Sequence, residues 1–261
     1  MFSISQLNEV QILVFALILL RMTAFVFSAA VLSSPSFPVP AKILFSVVFT
    51  MLMFKSVATN SIIAQINEQQ DQILLLAIME VSIGLILGFL TRIFFFAISM
   101  AGELVSLSMG LGQAQMFNPM MGNMGNAVEQ FLVFLATLLY FTINGHHNLI
   151  YGLTESFQIV QVGRLSINTE GFASVVYSTQ KFFVIGIQIA APVLISMIVV
   201  QVGVGLLSRA VPQINVLTTT ASITVALGFV ILFISLPLIV FQLTGIIDLT
   251  NIEFFNFVKR I

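Results

Sequence analysis

The chain has 261 residues, of which 59% are hydrophobic and only 7% charged. Soluble domains carry about 25% charged residues, so this sequence cannot cover a surface facing water and reads as an integral membrane protein. A net charge of −1, with no basic run beyond Lys259 and Arg260, excludes a nucleic-acid surface, and zero cysteines exclude disulfides, thiolate metal sites and cysteine nucleophiles.

The N-terminal apolar stretch is interrupted by Arg21, and residues 1–10 hold no lysine or arginine. A cleaved signal peptide needs a basic start, so this stretch is expected to remain in the protein. Apolar runs occupy roughly 10–32, 43–58, 73–100, 127–143, 172–207 and 214–247. A span needs about 20 apolar residues to cross a hydrocarbon core of about 30 Å. The expected fold is all-α: about six bent or broken helical segments, some short and some long.

Between the first two runs, "SSPSFPVPAK" has three prolines, so the helix breaks there and restarts at Ala41. The polar stretches "TNSIIAQINEQQDQ" (59–72) and "VGRLSINTEG" (162–171) read as solvent-facing connections. Pro192 and Pro237 lie inside the fifth and sixth runs and are expected to bend them. Those two runs form a long hairpin about "SRAVPQIN". The chain is expected to be one membrane-embedded domain over 1–261, with an N-terminal helical part (1–170) and a C-terminal hairpin (171–261). Its nine basic residues are spread too evenly to set an orientation, and the absence of tryptophan leaves a thin interfacial belt.

Arg21, Glu80 and Arg92 lie within runs that otherwise look like spans. Each would cost about 2.5–3.5 kcal/mol at a helix centre, so they must face protein or water. Glu80, Gly84, Gly88 and Arg92 recur every four residues along one helix face. The two charges lie about 18 Å apart along the axis and cannot pair, so each needs a partner from another element or another chain. The glycines permit close backbone approach. Three readings stay open: an intrachain packing stripe with buried ion pairs, a contact with other subunits, and a proton relay.

His146 and His147 are adjacent in "NGHHNL", just after an apolar run. Neighbouring side chains on a helix point apart, and no third ligand sits at metal spacing, so a helix end closed by Gly145 is the better account. No nucleophile elbow or phosphate loop occurs. No catalytic residue, metal site or cofactor is expected. Two competing readings are a solute transporter with a midplane site near Glu80 and Arg92 and an intramembrane enzyme using His146.

The stretch "MGLGQAQMFNPMMGNMGN" (109–126) carries no charge and has methionine at five of its eighteen positions. Methionine is flexible and fills irregular gaps, while glycine and asparagine permit unusual turns. Such a segment can close around what is present and open again. Non-helical backbone at membrane depth is tolerated only when buried in protein or lining a cavity. An ordinary extramembrane loop is the alternative.

"GLLSRAVPQINVL" (205–217) resembles the signature of the FliR family of flagellar biosynthetic proteins, the R subunits of the type III export gate, and of their virulence injectisome counterparts. The similarity extends in order through "EVSIGLILGF" from Glu80, "AGELVSLSMGLGQA" from Ala101, "NP" at Asn118 and Pro119, "NGH" from Asn144 and "ESF" from Glu155. It covers essentially the whole chain. After "PQINVL" the family usually continues through a glycine–proline step, whereas this chain has "TTTASITV". The start of the last helix is therefore in question. The resemblance implies an all-helical subunit of the bacterial inner membrane, at the flagellar basal body. It would join P- and Q-type subunits in a pore, with a large B-type subunit at the cytoplasmic entrance and unfolded exported proteins as substrate. It further implies that the loop matching 110–126 plugs the pore. The candidates for that plug are Met109, Gly110, Met116, Phe117, Asn118, Pro119, Met120, Met121 and Met124, and the signature hairpin turn is carried by Arg209, Pro212, Gln213 and Asn215.

Overall fold

The computed structural model describes residues 9–33, 37–111, 127–163, 169–210 and 216–260. All regular structure among them is helical: α1 (Glu9–Ser28), α2 (Ala30–Ser33), α3 (Val39–Val57), α4 (Asn60–Glu68), a 3-10 turn (Gln70–Gln72), α5 (Ile73–Ser108), α6 (Ala127–Thr142), α7 (Gly145–Ile159), α8 (Thr169–Ala210) and α9 (Val216–Arg260). Five are long and apolar enough to cross a membrane, or six if α6 and α7 count as one broken span. At about 1.5 Å per residue, the 36, 42 and 45 residues of α5, α8 and α9 exceed a hydrocarbon core of about 30 Å.

The helices fall into two compact units, one of residues 1–93, 144–179 and 249–261, the other of residues 94–143 and 180–248. Each unit thus draws on both sides of the expected division at residue 170. The chain passes between them within α5, α8 and α9 and after α6.

Helix α1 is the axis of the first unit. Its buried positions, Val14, Leu17, Ile18, Arg21, Met22, Phe25 and Val26, recur at three- and four-residue steps and form a wide inward stripe against α3 and α4. Helix α3 restarts two residues earlier than expected, at Val39, because Pro38 is its N-cap and Pro40 lies in the first turn. No helical N–H bond is needed at those positions. Up to Leu52 its burial is inverted relative to a water-soluble helix, whereas its end buries Phe54 and Val57. Lys42, Ser46 and Thr50 face inward, while Ile43, Leu44, Val48, Met51 and Leu52 are exposed. The Ser46 and Thr50 hydroxyls donate to the carbonyls of Lys42 and Ser46, four residues back, so both are satisfied within the helix.

Two helices lie where a connection or a simple helix end is the sequence reading. In α4, Ile62 and Ile66 are buried beneath an otherwise polar surface. In α7, Leu149, Leu153 and Phe157 are buried alongside Gly145, Gly152 and Ser156. The break before α7 is made by Asn144, at φ 57°, and Gly145 is the first helical residue of α7. Asparagine tolerates the left-handed region through its short polar side chain. A methyl on Gly152 would lie 2.7 Å from Cδ1 of Phe254. Gly152→Val is therefore expected to cost about 1–3 kcal/mol, read as a lower melting temperature in mild detergent.

The prolines do not interrupt their helices: α8 and α9 run through Pro192 and Pro237. In the first unit, Ser178 Oγ donates to Glu253 Oε2 at 3.1 Å. This bond joins the start of α8 to the end of α9; residues 211–215, where the hairpin is expected to turn, lie outside the described residues.

Candidate functional site

Two polar or irregular centres stand out, one in each unit. In the first, Arg21 is completely buried. Its Nε donates to Glu80 Oε2 at 2.6 Å, Nη1 to the Ser156 carbonyl at 3.1 Å and Nη2 to the Val160 carbonyl at 3.0 Å. The guanidinium carbon lies 4.3 Å from the centroid of the Phe157 ring. Glu80, 2% exposed, accepts the Gly163 N–H on its other oxygen at 3.3 Å. Gly163 has φ +90°, and its carbonyl accepts from Gln65 Nε2 at 3.2 Å.

One ion pair thus joins α1 and α5 to the end of α7 and the turn beyond it. Arginine suits this place because its planar fork serves several acceptors at once, including carbonyls a helix end leaves open. Lys42 plays a similar part, its Nζ donating to the Ser33 carbonyl at the end of α2 at 3.0 Å. Both buried cations therefore sit at helix C-termini, the favourable end of the dipole.

The glycines of the Glu80 stripe meet α1. A methyl on Gly84 would lie 2.9 Å from Ala24 Cβ and 3.1 Å from Phe25 N, and one on Gly88 would lie 2.8 Å from Ala29 N. Glu80, Gly84 and Gly88 therefore pack within the chain, whereas Arg92 is exposed. Glu80 and Arg92, the pair a midplane solute site would need, are not brought together. The partner of Glu80 was not evident from spacing along one helix, although Arg21 is the opposite charge set in the first apolar run.

In the second unit, α5 ends in a tightly bonded turn. The Gly110 N–H donates to Leu107 O at 3.0 Å and the Leu111 N–H to Ser106 O at 3.1 Å. Gly110 has φ +82°. This is the Schellman arrangement, in which a left-handed glycine closes the helix. Met109 is fully buried, against Gly228 of α9. Gln201 of α8 donates from Nε2 to the Ser108 carbonyl at 2.9 Å.

Across the segment, Glu129 lies in the first turn of α6 and accepts from Ser99 Oγ. A methyl on Gly102 would lie 3.1 Å from the Glu129 backbone nitrogen. Met109 and Gly110, expected in a deformable seal, thus form a packed helix terminus. Met116, Phe117, Asn118, Pro119, Met120, Met121 and Met124 lie outside the described residues, as do Pro212, Gln213 and Asn215. Arg209 is exposed in the last turn of α8. Sequence reasoning missed Gln201 and Gly228, which carry no signal beyond their residue type.

The His146 and His147 rings lie 4.2 Å apart in the first turn of α7, closer than the expectation that they point apart. Among the described residues, no group of three or more histidines and carboxylates could hold a metal ion.

Residues 12–250 match the model of bacterial export proteins, family 1. The chain belongs to this family. Curated relatives span most of it. It is similar to flagellar biosynthetic protein FliR of Bacillus subtilis, with 27% identity over 90% of this chain and 91% of the relative. It is 28% identical to that of Escherichia coli over 85% of this chain and 83% of the relative. With that of Aquifex aeolicus it shares 33% identity over 67% of each chain. The family match takes in both units and both centres, including Arg21, Glu80, Met109 and Gly228.

Proposed function

We propose that this chain is the R-type subunit of a flagellar type III export gate in the bacterial inner membrane, at the flagellar basal body. There it joins P- and Q-type subunits around a pore for unfolded proteins, with a B-type subunit at the cytoplasmic entrance. One observation carries the reading: in a member of an export family, long helices keep apolar faces uncovered by the chain itself. Ile195, Val199 and Leu206 of α8 and Val230, Ile234 and Phe241 of α9 are all exposed. Surfaces of this kind need lipid or protein against them. Arg92 adds a charge that lipid cannot satisfy, and a polar group of a neighbouring subunit or water supplies its partner. The flagellar names of the relatives favour this system over a virulence injectisome.

The methionine-rich segment acts as the plug of that pore. Unfolded chains present every kind of side chain in turn, so a passage needs adaptable apolar contact without a deep binding site. Deleting residues 112–124 is expected to leave the native complex mass unchanged in mild detergent while making the membrane leaky to small ions. A correctly assembled complex with no added leak would end the plug reading. Specific solute uptake by the isolated chain in liposomes would instead favour a transporter.

A further inference from the structure

We propose that the uncovered edge of α5 in the first unit, formed by Ile78, Leu85, Phe89 and Arg92, receives one apolar helix from another subunit of the gate, and that this helix carries a carboxylate opposite Arg92. The inference rests on the export-gate reading and deepens it by naming the partner's chemistry.

From Leu76 to Arg92 the exposed positions of α5 are Ile78, Leu85, Phe89 and Arg92. Their steps of seven, four and three residues follow a single heptad row. Half-buried Ser82 fills its gap, the hydroxyl donating to the Ile78 carbonyl at 2.8 Å. The other side of α5 is taken, Glu80 by Arg21 and both Gly84 and Gly88 by α1. What stays open is a strip about one side chain wide, the kind of seam into which a neighbouring helix packs. The outer face of α3 is different: Ile43, Leu44, Val48, Met51 and Leu52 are exposed with no charge among them. That broad face suits acyl chains. The α5 strip ends on a cation and does not.

The charge selects the occupant. Among the described residues no side chain bonds the Arg92 guanidinium, and the stretches outside them hold no aspartate or glutamate. A second copy of this chain cannot neutralise Arg92 through the same row, because the row has no acid and Glu80 is turned to Arg21. A planar guanidinium is best met by a carboxylate, which accepts two parallel bonds at once. The partner is therefore an apolar helix of a different subunit with an aspartate or glutamate facing this seam.

The test uses the assembled complex, with the isolated chain in mild detergent as the control for folding. Arg92→Glu is expected to cut the yield of intact complex roughly tenfold or more while leaving the melting of the isolated chain unchanged. Arg92→Lys, which keeps the charge, is expected to retain most of the yield. Replacing the facing acid of the partner helix by lysine or arginine is expected to restore assembly of the Arg92→Glu chain. Full complex yield from Arg92→Glu overturns the proposal.

A photo-crosslinking residue in place of Phe89 locates the occupant without changing the charge. The expected adduct is a peptide from an apolar, acid-bearing helix of another gate subunit, whereas the same probe in place of Met51 of α3 is expected to capture lipid. An adduct at position 89 with lipid alone, with a second copy of this chain, or with a helix lacking an acid overturns the proposal and leaves the export-gate reading standing. An unaltered chain that purifies without partner subunits and takes up solute removes that reading, and this partner with it.

Discussion

Arg21→Ala is expected to destabilise the first unit by about 3–5 kcal/mol, the cost of leaving one half of a buried ion pair alone. Glu80 would keep only the Gly163 N–H at 3.3 Å. The Val160 carbonyl would lose Arg21, whereas Ser156 O still accepts the Val160 N–H at 2.9 Å. In mild detergent the loss should appear as a melting temperature lower by roughly 10 °C and as reduced yield of intact chain. Arg21→Lys keeps the charge but cannot reach three acceptors with the geometry of a fork, so it should fall between. The double variant Arg21→Leu/Glu80→Leu should recover part of the loss, since a buried pair replaced together is far less damaging than one partner removed. An Arg21→Ala chain that melts with the unaltered protein would mean the pair contributes nothing to the fold.

Gly88→Val is the second large effect expected. Overpacking commonly costs 1–3 kcal/mol, and here the added group meets the Ser28 hydroxyl first and, behind it, Ser28 Cβ and the Ala29 backbone nitrogen, both at 2.8 Å. A flexible side-chain tip can swing aside, but a helix axis must shift as a whole. Gly84→Val presses on α1 at Ala24 and Phe25, one turn from the Glu80 contact, so it should also loosen Arg21. The control is Gly245→Ala, where nothing lies within 4 Å of the added methyl. That change should be neutral or slightly stabilising, because alanine is the better helix former by up to about 1 kcal/mol. If thermal unfolding ranks Gly88→Val with Gly245→Ala, α1 and α5 do not pack as closely as these distances require.

Much of the fold was legible from apolar content alone, because a run of membrane length has few other structures to adopt. What escaped was helix in mixed sequence. In α7, Leu149, Leu153 and Phe157 recur every four residues, but the histidines and asparagine before them and the threonine and glutamate between them dilute the signal. In α4 only Ile62 and Ile66 mark the buried face. The glycine stripe was legible as a place of close approach, yet its occupant, α1, was not, since periodicity fixes a face and never the neighbour. The same holds for Glu80, whose partner lies 59 residues away. Met109 shows the opposite difficulty. Composition joined it to the methionines that follow, whereas the left-handed Gly110 behind it ends the helix and places it in the core.

The span between Arg21 and its acceptors also sets a timetable for biosynthesis. Glu80 follows Arg21 by 59 residues and Val160 by 139. At about 5–20 residues per second, the ribosome delivers the carboxylate roughly 3–12 s after the guanidinium, and the last carbonyl later still. Throughout that wait the first helix carries an uncompensated cation. At a helix centre that charge costs about 2.5–3.5 kcal/mol on insertion scales, a cost that lasts until the fifth helix brings Glu80 to it.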